Sequence, residues 1–235
     1  MQGVFITGTD TGVGKTFVGT TIARTLNQRN VKVIPRKPIE SGCLNQDGKL
    51  IPQDALALKE AANYQGSLSD VCPYRFEPPI SPVRAAHLAG KVLTTEQLVS
   101  ICLQGSEEGF LLVEGAGGFY SPLAENGLNA DLAVALQLPV LLVADDKLGV
   151  LNQVLLNAEA IQTRGLQLAG VVLNAREKNQ DELMDNVADL RERLDCAVFA
   201  NPYCKDDLNE LPKALTEMLI SFSDIGNSPV SSAVR

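Results

Sequence analysis

Short runs of apolar residues alternate along this chain with segments of helical periodicity, and this alternation restricts the possible folds more than any other sequence feature. Strands that helices cover on both faces have such continuous apolar character, because neither face meets water. We therefore expect an α/β fold with a single doubly wound, mainly parallel sheet and helices on both of its faces. The predicted strands are residues 4–7, 31–35, 110–113, 140–144 and 168–173, with a weaker one at 197–199.

Helical periodicity is clearest after the first predicted strand. Val18, Ile22 and Leu26 recur every four residues after Lys15, and residues 150–164 and 182–194 have a similar pattern. The chain contains no internal repeat and no interior linker rich in proline, glycine or serine. The 235 residues therefore predict one domain at 1–222 and a disordered tail at 223–235, which is rich in serine, asparagine and proline.

The charge balance excludes several classes of partner. Lys and Arg number 20 against 28 Asp and Glu, a net charge of −8, so we expect neither nucleic-acid binding nor attraction to anionic membranes. The first residues lack the basic and apolar character of a signal peptide, and no apolar stretch has the roughly 20 residues of a membrane helix. A cytoplasmic location is the expectation.

Cysteine and histidine usage restricts the chemistry further. The five cysteines form no C-x-x-C pair, which is typical of free thiols in a reducing compartment. His87 is the single histidine, so His-rich metal sites are excluded, and its alanine-rich surroundings favour a structural role.

The strongest local signal is a glycine-bearing loop between the first predicted strand and the helix that follows it. Backbone N–H groups of such a loop, together with the start of the helix, favour a bound anion, above all phosphate. The spacing from Gly8 to Gly14 is one residue longer than in the usual phosphate-binding loop. Lys15 is expected to reach the β- and γ-phosphates, and the Thr16 hydroxyl is expected to meet Mg²⁺.

Polar side chains follow the other predicted strands, whose carboxyl ends meet at one edge of the sheet. Ligands of open α/β sheets bind in the crevice at that edge. The residues are Lys37, Ser41, Glu114, Lys147 and Asn174.

Three charged residues suggest specific chemistry. Glu114 precedes a glycine-rich segment at 115–118, which lets a ligand approach the backbone, and its carboxylate can hold Mg²⁺ beside phosphates. Lys37 is a candidate base or cation for a transferring phosphoryl group. Asp54 begins the helical stretch 54–62, where an N-cap role is the alternative.

Six motifs occur together between residue 4 and about residue 204. They are Gly8-Thr9-Asp10-Thr11-x-Val13-Gly14-Lys15-Thr16, Lys37-Pro38-x-x-Ser41-Gly42, Asp54-Ala55, Ser81-Pro82, Glu114-Gly115-Ala116-Gly117-Gly118 and Lys147-Leu148-Gly149. With this combination the chain resembles the dethiobiotin synthetases of biotin biosynthesis, which have the P-loop NTPase fold. Unrelated P-loop proteins share only the first motif.

The resemblance implies a reaction. Members of the family are cytoplasmic ligases that use ATP and Mg²⁺ to join CO2 to 7,8-diaminononanoate. One substrate amine takes up CO2 as a carbamate, the carbamate oxygen attacks the γ-phosphoryl group, and the second amine closes the ring and displaces phosphate. The family also implies a homodimer with the substrate bound at the subunit interface.

The resemblance also implies roles for individual residues. It makes Lys37 and Lys15 catalytic and gives Mg²⁺ the ligands Thr16, Asp54 and Glu114. The ATP contacts that it implies are Gly12, Val13, Gly14, Lys15, Thr16, Phe17, Asp54, Glu114, Gly115, Ala116, Gly117, Asn174, Ala175, Pro202, Tyr203 and Cys204. The substrate contacts that it implies are Thr11, Lys37, Ser41, Gly149, Val150, Leu151 and Asn152, with the last four supplied by the neighbouring subunit.

Two other P-loop classes are alternatives. A partitioning or metal-delivery ATPase would act through protein partners, but such proteins usually have Lys at the position of Asp10 and lack the Lys37-x-x-x-Ser41 arrangement. An amidoligase acting on a corrinoid-type substrate normally carries a separate glutaminase domain, for which this length has no space. Asp145 and Asp146 place negative charge before Lys147, where the synthetases are usually apolar or small.

Overall fold

A computed structural model describes residues 2–176, 183–202 and 213–224 of the protein. The elements, in chain order, are β1 (Gly3–Gly8), α1 (Lys15–Gln28), β2 (Val33–Arg36), β3 (Ile39–Ser41), β4 (Leu44–Gln46), β5 (Lys49–Ile51), α2 (Gln53–Ala61), α3 (Leu68–Val71), β6 (Tyr74–Phe76), α4 (Pro82–Leu88), α5 (Thr95–Leu103), β7 (Phe110–Gly118), β8 (Pro122–Ala124), β9 (Gly127–Leu128), α6 (Asn129–Leu136), β10 (Val140–Asp145), α7 (Val150–Thr163), β11 (Leu168–Asn174), α8 (Asn186–Arg191), β12 (Ala197–Asn201) and α9 (Lys213–Asp224). A short 3₁₀ turn covers Ser106–Glu108.

The central sheet consists, within the described residues, of six parallel strands in the order β12-β11-β10-β1-β7-β2. Every strand predicted from an apolar run is one of them, so the doubly wound parallel sheet is confirmed. The phosphate loop follows β1 near the middle of the sheet. Because all six strands run the same way, the residues that follow them gather at one edge.

A hydrophobic cluster lies on each face of the sheet, and successive residues of a strand contribute to opposite clusters. On β1, Phe5 packs on the face that carries α4 to α8, whereas Val4 and Ile6 pack on the face that carries α1, α2 and α9. Leu142 and Leu141 of β10 divide in the same way. Helices thus cover both faces of the sheet, which explains the continuous apolar runs in the sequence.

Some element boundaries differ from the predictions. The helix predicted at 182–194 is limited to α8, because Asp185 accepts a hydrogen bond from Ala188 N (3.0 Å) and caps the helix at that point. Asp54 is not an N-cap, since α2 begins at Gln53 after Pro52. Helix α9 extends two residues past the predicted end of the domain, and residues 225–235 lie outside the described part of the chain.

Short strands that the sequence analysis did not predict lie beside the sheet edge. β3 pairs in parallel with β6, and β4 and β5 form a hairpin whose turn residues Asp47 and Gly48 have φ of 51° and 81°. An Asp-Gly turn with positive φ is a favoured hairpin connection. These strands connect the end of β2 to α2 and so determine where Lys37 and Asp54 meet. Among the described helices, none combines the length and apolar character needed to cross a membrane.

Burial protects most of the described cysteine thiols. Burial raises the pKa of the Cys102 thiol to about 12 and that of Cys43 to about 11. Because the thiolate is the reactive form, we expect iodoacetamide to leave both residues unmodified in the native protein at about pH 8. The half-buried Cys196 is the internal control and should react faster. Peptide mass mapping before and after denaturation in guanidinium checks this, and equal native rates for Cys102 and Cys196 would contradict it.

Candidate active site

A cleft of about 810 Å³ opens at the carboxyl edge of the sheet, between the phosphate loop and the loops that follow the neighbouring strands. Most of the predicted site residues line this cleft. They are Thr11, Gly12, Gly14, Lys15, Thr16, Phe17, Lys37, Ser41, Asp54, Glu114, Ala116, Gly117, Asn174, Ala175 and Pro202.

The phosphate loop has the conformation of an anion cradle. Gly12 and Gly14 have φ of 75° and 98°, a region that favours glycine, and α1 begins directly after Gly14. Lys15 Nζ donates to the Asp10 carbonyl oxygen (2.9 Å) and thus lies across the loop. Burial lowers the pKa of Lys15 to about 8, although Glu114 opposes the shift. Phosphate oxygens beside the ammonium would favour its charged form.

A buried ion cluster lies next to this loop. Lys37 Nζ contacts Asp54 Oδ2 at 2.6 Å and Glu114 Oε1 at 2.5 Å, and the Lys37 and Glu114 side chains are only 4% and 0% exposed. The Thr16 hydroxyl donates to the same Glu114 oxygen (2.8 Å). Burial alone would lower the pKa of Lys37, but Glu114 and Asp54 outweigh it and raise the pKa above its usual range. The two carboxylates in contact with Lys37 thus favour its charged form.

Glu40 holds the helix that supplies Asp54. Its two carboxylate oxygens accept hydrogen bonds from Asp54 N (3.1 Å) and Ala55 N (3.0 Å), at the start of α2. Burial raises the pKa of Glu40, while the nearby Lys37 opposes the shift. The sequence analysis missed Glu40, although it lies inside the Lys37-to-Ser41 motif. A carboxylate next to an apolar strand was the signal that could have identified it.

The donors around Thr16 fit a magnesium ion. Glu114 Oε2 is buried and has no hydrogen-bond partner among the described residues. Carboxylate and hydroxyl oxygens are hard ligands, which Mg²⁺ prefers together with phosphate oxygens and water. Across the described residues no group of three or more His, Cys, Asp or Glu side chains could hold a metal by itself.

The glycine-rich end of β7 is held by Asn129, a fully buried residue at the start of α6. Asn129 Oδ1 accepts from Ala116 N (3.0 Å), and Nδ2 donates to the carbonyl oxygens of Ala116 (2.6 Å) and Gly118 (3.1 Å). β7 continues past Glu114, with a register shift against β1 between Ile6 and Gly8. An irregularity of this kind changes the direction of side chains and is common next to active sites.

The other end of the cleft contains a pair of asparagines. Asn174 Nδ2 donates to the Val13 carbonyl oxygen (3.0 Å), and Asn174 Oδ1 accepts from Asn201 Nδ2 (2.7 Å). Arg176, two residues further on, donates to the Gly12 carbonyl oxygen. Asn201 ends the weakest predicted strand, so the rule that identified Asn174 would have identified Asn201 as well.

Several predicted site residues do not line this cleft. Val13 and Gly115 are buried behind it, and Tyr203 and Cys204 lie outside the described residues. The segment Gly149, Val150, Leu151 and Asn152 lies at the start of α7 and is not among the residues that line the cleft. The lining residues that the sequence analysis did not assign to the site are Glu40, Pro79, Ile80, Ser81, Pro82, Ser121, Pro122, Arg176 and Asn201.

Comparison with known proteins extends this description. A family model described as an AAA domain matches residues 2–206. The ATP-dependent dethiobiotin synthetase of Ruthia magnifica is 39% identical over 220 residues, which is 94% of this chain and 99% of the relative. The synthetase of Pseudoalteromonas translucida is 37% identical over 206 residues, covering 86% and 91% of the two chains.

Solved structures match the fold at low sequence identity. The signal recognition particle receptor FtsY of Elizabethkingia anophelis has a TM-score of 0.51 at 14% identity, covering 94% of this chain. This chain spans only 65% of that receptor. The cell division protein FtsY of Thermotoga maritima has a TM-score of 0.51 at 15% identity, covering 93% of this chain and 68% of that one. These likenesses concern the fold alone.

The relatives in biotin biosynthesis match this chain over nearly its whole length, at identities well above those of the receptors. We conclude that the chain belongs to the ATP-dependent dethiobiotin synthetases, a family of P-loop ligases.

Proposed function

We propose that this protein makes dethiobiotin from 7,8-diaminononanoate and CO2, with ATP converted to ADP and phosphate. The observation that carries the proposal is the contact of Lys37 with Asp54 and Glu114, directly beside Thr16 of the phosphate loop. A buried cation at the γ-phosphate end of a P-loop stabilises charge on a transferring phosphoryl group. The names of the relatives supply ATP and the product, dethiobiotin, and the diamine and CO2 come from the resemblance described above.

The chain's own groups would bind and orient the triphosphate. The backbone of the phosphate loop and the start of α1 offer N–H donors to its oxygens, and Lys15 offers an ammonium group. Thr16, Asp54 and Glu114 would hold Mg²⁺, whose chemistry is to neutralise charge on the phosphate oxygens. The unpaired Glu114 Oε2 supports this assignment.

The proposed reaction has three steps, and positioning is the main task of the protein in each of them. One amine of the substrate adds to CO2 and loses a proton, which gives a carbamate. A carbamate oxygen attacks the γ-phosphorus and ADP leaves, which forms a carbamic-phosphoric anhydride. The second amine attacks the carbamoyl carbon and loses a proton, the C–O bond to the phosphate breaks, the ring closes and phosphate leaves. Lys37 would face the developing negative charge, with Thr11 and Ser41 lining the cleft beside it.

We also propose a homodimer in which the start of α7 binds the substrate carboxylate of the neighbouring subunit. Gly149 is the N-cap of this 14-residue helix, and an exposed helix start favours an anion. Leu148, just before it, is 92% exposed, as expected of a residue that a second subunit would cover. The cytoplasmic location stays a prediction.

Phosphate release from MgATP tests the proposed reaction. With bicarbonate present, release should require 7,8-diaminononanoate, and a mass spectrum should contain a product of dethiobiotin mass. Omission of bicarbonate is the matched control. Steady ATP hydrolysis at a rate that does not depend on the diamine would instead favour a switch ATPase of the partitioning or metal-delivery class.

Replacement of the buried cation should abolish product formation. Lys37→Met keeps the aliphatic stem but removes the charge, so we expect the rate to fall at least about a hundredfold, as for other groups that stabilise transition-state charge. ATP binding, measured by calorimetry, should change much less. Lys32→Met is the control, because Lys32 forms an exposed ion pair with Glu108 before the start of β2. Wild-type turnover of Lys37→Met would remove Lys37 from the mechanism.

Glu114→Gln should raise the Mg²⁺ requirement. A hydrogen bond or contact to a charged group is worth roughly 1.5–3 kcal/mol, so the half-saturating Mg²⁺ concentration should rise about 10- to 100-fold. Turnover titrated with Mg²⁺ at saturating ATP measures this. The control is Glu108→Gln, on the exposed 3₁₀ turn. If the two variants titrate alike, Glu114 is not a metal ligand.

A further inference from the structure

Helix α2 is held at both ends by side chains of other elements. At its N-terminal end the two carboxylate oxygens of Glu40 accept hydrogen bonds from Asp54 N (3.1 Å) and Ala55 N (3.0 Å). At its C-terminal end Asn27, on α1, donates through Nδ2 to the Ala61 carbonyl oxygen (3.0 Å). A helix of nine residues leaves most of its N–H and C=O groups without a partner inside the helix, so contacts of this kind decide where its ends lie.

The N-terminal end of α2 depends on Glu40 because it lacks a cap of its own. The N-cap residue is Pro52, whose side chain has no hydrogen-bonding atom. A capping side chain normally accepts a hydrogen bond from the second or third residue of the helix, which here are Asp54 and Ala55. Glu40 supplies that contact from β3, and its negative charge suits a helix N-terminus. Glu40 is buried, with 6% of its surface exposed.

Asp54 is the residue whose position this contact determines. One of the two N–H groups that Glu40 binds belongs to Asp54 itself. The Asp54 side chain is 43% exposed and lines the cleft, where Oδ2 contacts Lys37 Nζ. Glu114 differs, because it is fully buried and its backbone lies in the central sheet, opposite Ile6. Of the two carboxylates proposed for Mg²⁺, Asp54 thus depends on a helix end for its position, whereas the sheet holds Glu114.

We propose that Glu40 is a positioning residue that sets the affinity of the nucleotide-bound site for Mg²⁺ by fixing Asp54. The inference rests on the proposed assignment of Thr16, Asp54 and Glu114 to Mg²⁺, but it does not depend on the substrate that the protein carboxylates. Groups that hydrogen-bond and orient metal ligands typically change metal affinity by roughly 10- to 100-fold when they are removed. Without Glu40 the first turn of α2 loses its cap, and Asp54 faces the metal in only a fraction of the conformations.

Binding of β,γ-methylene-ATP to the full chain tests the proposal without turnover. Calorimetry gives the metal factor, which is the dissociation constant in EDTA divided by that in saturating Mg²⁺. By linkage this ratio equals the gain in Mg²⁺ affinity that the protein provides over the free nucleotide. Glu40→Ala should lower the metal factor about 10-fold.

Asn27→Ala is the matched control. It removes the hydrogen bond at the other end of the same helix, so it should destabilise α2 and yet leave the metal factor within about twofold of the wild-type value. Thermal unfolding compares the stability of the two variants. If Asn27→Ala lowers the metal factor as much as Glu40→Ala does, the effect reflects the stability of α2 alone and the proposal is wrong.

A double variant separates positioning from charge. Glu40→Ala also removes a negative charge near the site, and a direct effect of that charge on Mg²⁺ would persist without Asp54. An effect that passes through Asp54 should vanish, so Asp54→Ala should have the same metal factor with and without Glu40→Ala, within about twofold. A further fall of about 10-fold in the double variant would overturn the positioning role.

Glu40→Gln is a second variant, should Glu40→Ala fail to fold. It retains one acceptor oxygen, so the metal factor should fall by at least about threefold. A wild-type metal factor in a folded Glu40 variant, together with a lowered one in Asp54→Ala, would overturn this proposal and leave the Mg²⁺ assignment intact. A metal factor that Asp54→Ala does not lower would overturn both.

Discussion

The ammonium group of Lys37, buried between two carboxylates, is the interaction on which the rest of the site depends. A buried charge without a partner is strongly destabilising, so Lys37 requires Asp54 and Glu114 at contact distance. These groups come from the end of β2, the start of α2 and the middle of β7. The ion cluster therefore forms only when these three separate segments have folded together.

The sheet and its attached strands bring these segments together. Parallel pairing sets the ends of β2 and β7 side by side, and the register shift after Ile6 carries the glycine-rich continuation of β7 under the phosphate loop. Glu40 then binds the first N–H groups of α2 through both of its oxygens, which fixes the helix that supplies Asp54. Carboxylate oxygens, which are ligands that Mg²⁺ prefers, and the ammonium group of Lys37 thus lie at the same place.

The opposite end of the cleft follows a different principle. There the backbone of the phosphate loop determines the polarity of an amide pair, because the Val13 carbonyl oxygen accepts the first hydrogen bond and leaves Asn201 Oδ1 as the unpaired atom. Charged groups thus characterise the Lys37 end of the cleft, and neutral hydrogen bonds characterise the asparagine end. Local cations and N–H donors of this kind can favour an anion although the net charge of the protein is −8.

The sequence by itself determined the parallel sheet, the phosphate loop and the residues that follow the strands, because apolar runs and glycine spacing are local properties of the chain. It could not determine the contacts that Glu40, Arg176 and Asn201 make. Glu40 acts on α2 from a short strand outside the main sheet, and Arg176 and Asn201 meet the loop only through the pairing of distant strands. Tertiary structure alone brought Lys37 into contact with two carboxylates, since Asp54 and Glu114 lie 17 and 77 residues away along the chain.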